Sequence, residues 1–93
     1  MNSELVFAKN PHILSSEIDR DVVIMDLASA SYYTLNSTAS EIWRLLDSKR
    51  TVSSIFEELC STHRVVREEI ETEVFDLFKD LEKSGLIELQ ERA

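Results

Sequence analysis

Ninety-three residues with ten basic and eighteen acidic side chains, a net charge of −8, make one small domain that repels phosphate backbones at long range. The composition, 43% hydrophobic and 30% charged, is that of a globular chain, and no apolar run approaches the roughly 18 residues of a membrane span. The opening MNSELVFAKN lacks the basic stretch and apolar run of a signal peptide, and Cys60 is the only cysteine, so a cytoplasmic location is expected and no intrachain disulfide can form.

In chain order, Leu5, Val6 and Phe7 predict a short first strand ended by Asn10-Pro11. Asp19-Arg20-Asp21 reads as a turn into Val22–Leu27, the strongest strand signal, whose nearly continuous apolar run fits a central strand or one covered on a face. Ala28-Ser29-Ala30 links it to a third strand ending at Leu35. Asn36-Ser37-Thr38 then breaks the alternation. Thr38 and Glu41 have the spacing of a capping box, which starts a first helix reaching Leu46 or Asp47. Asp47-Ser48-Lys49-Arg50 is its polar exit.

A second helix is expected from Val52 to Ser61, capped by Thr51 or Ser53, with Val52, Ile55, Phe56 and Leu59 as its buried stripe. A third runs from Arg67 to Ser84. Glu68, Glu69 and Glu71 near its start and Lys79 and Lys83 near its end suit the helix dipole, and Gly85, the only glycine, fits a left-handed terminator. Leu86, Ile87 and Leu89 form a tail that packs back or adds a strand. The expected class is α+β: a three-stranded, mainly antiparallel sheet followed by three helices, one domain over residues 1–93.

On a wheel of about 100° per residue, Val66, Ile70, Val74, Leu77 and Leu81 of the third helix share a stripe about 80° wide. Phe78 falls at its margin and Phe75 nearly opposite its centre. The two phenylalanines, flanked by Glu71 and Glu82, read as the wall of a groove, the alternative being that Phe75 is covered by the N-terminal strand or the C-terminal tail.

Catalytic and metal signatures are sparse. Cys60 and His63 have a C-x2-H spacing, but His12 is the only other histidine, so no metal site is expected. One glycine leaves no phosphate loop, and no serine stands in a nucleophile elbow. No cofactor and no enzymatic activity are expected. A winged-helix DNA-binding regulator suits the order of elements. Its third helix, however, would bring Glu68, Glu69, Glu71, Glu73, Asp76 and Asp80 to the phosphates, the wrong sign. A dimerisation module pairing through an exposed strand edge is a further class.

Several runs together carry a family resemblance. They are Val23-Ile24-Met25-Asp26-Leu27, then Tyr33-x-Leu35-Asn36-x-Thr38-Ala39-x-x-Ile42-Trp43, then Leu45-Leu46-Asp47 and Thr51-Val52. Ile55, Leu59, Val74, Leu77, Leu81 and Gly85-Leu86-Ile87 complete the pattern over about residues 20–89. The chain resembles the PqqD-like family, recognition elements for the leader peptides of ribosomally made, modified peptides. Ala30 and Ser48 stand where members often carry glycine, which touches turn geometry.

The resemblance implies a fold related to winged helix-turn-helix domains, with a leader peptide added as a strand along the third strand, in the cleft between it and the third helix. The peptide-binding candidates are then Ser31, Tyr32, Tyr33, Thr34 and Leu35 as the pairing edge. Phe75 and Phe78 are the candidate apolar wall, with Glu71 and Glu82 for basic leader side chains. Tyr33 and Leu35 also read as core. The partners implied are a precursor leader peptide and a separate enzyme, with neither nucleic acid nor membrane. The Asp-Leu and Tyr-x-Leu-Asn-x-Thr-Ala pattern is similar to the stand-alone adaptors of lasso-peptide clusters, where the enzyme is a leader protease. In pyrroloquinoline quinone synthesis it would be a radical S-adenosylmethionine enzyme.

Overall fold

The computed structural model describes residues 4–48 and 51–90. Lys49 and Arg50 of the expected polar exit lie outside them. The apolar run after Asp21 forms β3 (Asp21–Asp26), the middle strand of an antiparallel sheet between β2 (Ile13–Ile18) and β4 (Ser31–Leu35). Along β3, Val22, Ile24 and Asp26 are buried while Val23 and Met25 are half-buried, so one sheet face carries the core.

Two strand expectations are corrected. The expected three-stranded sheet has no strand between Pro11 and Asp19, where ILSSEI pairs with β3. That segment is a strand because the turn at Asp19-Arg20 folds it onto β3, with Ile18 opposite Asp21 and Asp19 left-handed at φ 57°, a conformation Asp tolerates. The first strand, β1 (Val6–Lys9), does not join that sheet. It pairs antiparallel with β5 (Ile87–Gln90), Val6 opposite Gln90, in a separate two-stranded sheet. The ring of Phe7 on α3 and the Leu5 carbonyl, which accepts the Val52 N–H at 2.9 Å, hold β1 in that place.

The first helix, α1 (Ser37–Leu45), starts earlier than the Thr38–Glu41 spacing implied. Asn36, a strong N-cap type, accepts the Ala39 N–H on Oδ1 at 2.9 Å, and Glu41 turns to His63 instead. A 3-10 turn, Leu46–Ser48, follows. Helix α2 (Val52–His63) is capped by Thr51, whose hydroxyl accepts the Ser54 N–H at 3.1 Å, and it buries Val52, Ile55, Phe56 and Leu59.

Helix α3 (Arg67–Lys83) ends as the lone glycine suggested. Gly85 takes φ 77°, its N–H reaches the Glu82 carbonyl, and the Leu86 N–H reaches the Leu81 carbonyl, each at 3.0 Å. That is a Schellman ending, with Leu81 and Leu86 both in the core.

The core lies between the inner sheet face and the helices, with Trp43, Phe56 and Phe78 its largest fully buried side chains. The buried arc of α3 differs from the wheel's stripe. Val66 is 56% exposed at the N-cap and Phe78 is 0% exposed, stacked on Phe7 with centroids 5.3 Å apart. Phe75 is half-buried, edge-on to Phe56 at 5.2 Å. The helix packs against β1 and α2 at once, so its apolar arc widens to about 160°, from Leu77 to Phe75.

Candidate peptide-binding edge and groove

Strand β4 pairs with β3 on one side, and among the described residues nothing pairs with its other side. The direction of its backbone groups follows from two bonds of β3. The Val22 N–H points toward β4, where Ser40 links it to Leu35, and the Leu27 N–H points the other way, to the His12 carbonyl. Alternation along an antiparallel ladder then turns Ser31, Tyr33 and Leu35 toward β3 and leaves the N–H and C=O groups of Tyr32 and Thr34 on the open edge. Such an edge offers ready pairing to an extended chain.

The side chains of β4 alternate as well. Leu35 is buried and Tyr33 is half-buried against the core, while Thr34 is exposed and Tyr32 is 68% exposed on the opposite face. Ser31 is half-buried and accepts the Ser29 hydroxyl at 3.0 Å. The edge therefore presents backbone at Tyr32 and Thr34 and contributes packing at Tyr33 and Leu35.

A groove begins where β4 ends. A cavity of about 390 Å³ opens between the start of α1, at Asn36, Thr38, Ala39 and Ile42, and the face of α3 that carries Glu73, Asp76, Leu77 and Asp80. This is a different face of α3 from the one expected. Taking Val74 as zero at about 100° per residue, Glu71 and Glu82 fall near +60° and +80°, beside Phe75 and Phe78. Glu73, Asp76 and Asp80 fall between about −100° and −160°, past Leu77.

The expectation of an open phenylalanine wall is corrected accordingly. Phe78 is core under β1, and Phe75 packs between α2 and α3. Glu71 pairs with Arg67 at 3.3 Å, and neither it nor the exposed Glu82 lines the cavity. The acidic face was legible as a spacing, since Glu73, Asp76, Leu77 and Asp80 stand at helical intervals.

Among the described residues Glu73, Asp76 and Asp80 have no ion pair. Like charges three and four residues apart on a helix repel by roughly 0.2–0.5 kcal/mol per pair, which a cation in the groove would relieve. Among the same residues no group of three His, Cys, Asp or Glu side chains is arranged to hold a metal ion, and no helix is long and apolar enough to cross a membrane.

Residues 21–87 match the family model of coenzyme PQQ synthesis protein D, PqqD. The fold is also similar to two solved structures. TbiB1 in complex with the TbiA(beta) leader peptide is 27% identical, with a TM-score of 0.82 over 87% of this chain and 94% of that one. Lasso peptide synthetase B1 complexed with the leader peptide is likewise 27% identical, with a TM-score of 0.79 over 88% and 96%. No curated protein matches the sequence.

Proposed function

The chain belongs to the PqqD family, and on that footing we propose that it is a non-catalytic adaptor of lasso-peptide biosynthesis. It binds the leader of a precursor peptide and hands it to a separate leader protease in the cytoplasm. The leader adds as a strand to β4, and its side chains enter the groove between α1 and α3.

The observation that carries this reading is the open edge of Tyr32 and Thr34, ending at a groove, in a fold similar to two proteins solved with leader peptides. Pairing to an edge supplies main-chain hydrogen bonds with little sequence preference, and the groove supplies selection. The order α2, α3, β5 fits a winged helix-turn-helix ancestry turned to peptide binding, since the acidic face of α3 is unsuited to phosphates.

The family description also favours a second reading, a peptide chaperone of pyrroloquinoline quinone synthesis working with a radical S-adenosylmethionine enzyme. Calorimetric titration of the protein with a lasso precursor leader, a quinone precursor peptide and a DNA duplex distinguishes them. Saturable binding of the lasso leader alone is expected. Binding of the quinone precursor alone would install the second reading, and binding of the duplex alone would sink both.

A further inference from the structure

The groove does not stop at α1. Thr38, Glu73 and Val74 also line a second cavity of about 200 Å³, so the two are one trough running from the end of β4 to the turn between α2 and α3. Its walls are Leu59, Val65, Ile70 and Val74, with the exposed His63 at its side. An apolar cavity of roughly 150 Å³ admits benzene, so this one has room for the side chain of one leucine, isoleucine or phenylalanine.

Charge separates the two halves. At the apolar end the Glu41 carboxylate is already engaged, 2.7 and 2.8 Å from His63 Nε2. At the β4 end Glu73, Asp76 and Asp80 line the first cavity without a cation among its lining residues. Their span of seven residues is about 10 Å of helix, within reach of a long basic side chain. The trough begins at Asn36, the residue after β4, so a peptide paired to the β4 edge is placed to extend into it.

Resting on the leader-binding reading, we propose that the trough selects leaders in which a lysine or arginine stands close to one bulky apolar residue. The cation sits on the α3 carboxylates and the apolar side chain fills the cavity between α1, α2 and α3. Selectivity thus comes from a basic and apolar pair, not from aromatic contacts with Phe75 or Phe78. The net charge of −8 adds long-range attraction for such a peptide.

The test is selection of random displayed peptides on the immobilised full chain, followed by calorimetry of the enriched peptides. The proteins compared are the wild type, Asp76→Lys/Asp80→Lys, the milder Asp76→Asn, the cavity-filling Ile70→Trp, and Thr34→Pro, which blocks the β4 edge. Enriched peptides are expected to share a Lys or Arg near a bulky apolar residue. They should bind the charge-reversed protein at least about tenfold more weakly, and glutamate in place of the basic residue should restore binding there. Ile70→Trp should cancel the advantage of the apolar residue. Peptides that need the β4 edge but bind Asp76→Lys/Asp80→Lys and Asp76→Asn unchanged overturn the trough chemistry and leave leader binding standing. Absence of any binder, or binding indifferent to Thr34→Pro, overturns the strand-addition reading itself.

Discussion

The N–H of Val22 donates to the hydroxyl of Ser40 at 2.8 Å, and that hydroxyl donates in turn to the carbonyl of Leu35 at 3.1 Å. Val22 and Leu35 face each other across β3 and β4, so Ser40 bridges the sheet where α1 leaves it. The side chain is fully buried. Ser40→Ala strands a buried donor and weakens an acceptor, each worth about 1–3 kcal/mol, so a loss of about 2–4 kcal/mol is expected in urea unfolding. A loss under about 0.5 kcal/mol, the ordinary scatter of surface changes, would mean that the two strands close on each other without the hydroxyl.

The open edge makes adjacent positions of β4 respond oppositely to proline. Thr34 directs its N–H outward, and proline is tolerated on edge strands where the missing donor faces solvent. Thr34→Pro should keep the circular dichroism of the wild type. It should weaken leader binding by more than about tenfold, because it removes one donor and places a ring against the incoming strand. Tyr33→Pro removes an N–H directed at β3 and should unfold the sheet. A folded Tyr33→Pro beside an unfolded Thr34→Pro would show that the ladder alternates the other way.

Much of this fold was legible because local chemistry and tertiary context agree. The apolar run of β3, the α2 stripe from Val52 to Leu59 and the Gly85 terminus all stand as the residues suggest. The β2 strand was not legible, since Ser15, Ser16 and Glu17 are exposed and only the hairpin with β3 makes them extended. Nor was the pairing of β1 with β5, which joins the two ends of the described chain through contacts no local pattern encodes. For the groove, the wheel failed at one decision. It centred the core of α3 on Val66 to Leu81, whereas Phe7 and Phe56 pull Phe78 and Phe75 inward and rotate the solvent face onto Glu73, Asp76 and Asp80.

Two left-handed positions near helix and hairpin ends predict opposite changes. Ala30 closes the β3–β4 hairpin at φ 57°, a region that costs a residue with Cβ roughly 1–2 kcal/mol. Ala30→Gly relieves that cost but adds freedom to the unfolded chain, so a net gain of about 0.5–1 kcal/mol is expected. Gly85 sits at φ 77°, and a Cβ added there would meet nothing within 4 Å. Gly85→Ala therefore meets no clash, and the backbone cost of about 1–2 kcal/mol, less the gain from a stiffer unfolded chain, leaves a net loss of about 0.5–1 kcal/mol. Thermal melts of the two variants should move in opposite directions, by about 4–8 °C per kcal/mol for a domain of this size. A stabilised Gly85→Ala would contradict the Schellman ending.

Phe75 and Phe78 separate packing from recognition most directly. Phe78 is stacked on Phe7 and fully buried, so Phe78→Ala should cost about 3–5 kcal/mol, enough to threaten folding of a chain this short. Phe78→Leu keeps most of the volume and should remain folded. Phe75 is half-buried against Phe56, and truncation there should cost about 1–3 kcal/mol. Neither residue lines the groove beside β4, so Phe75→Ala and Phe78→Leu should bind leader with unchanged affinity at temperatures where they are folded. Calorimetry beside a urea melt reads both quantities on one preparation. A Phe75→Ala protein that keeps its stability and loses its leader would return the binding wall to the phenylalanine face and remove it from Glu73, Asp76 and Asp80.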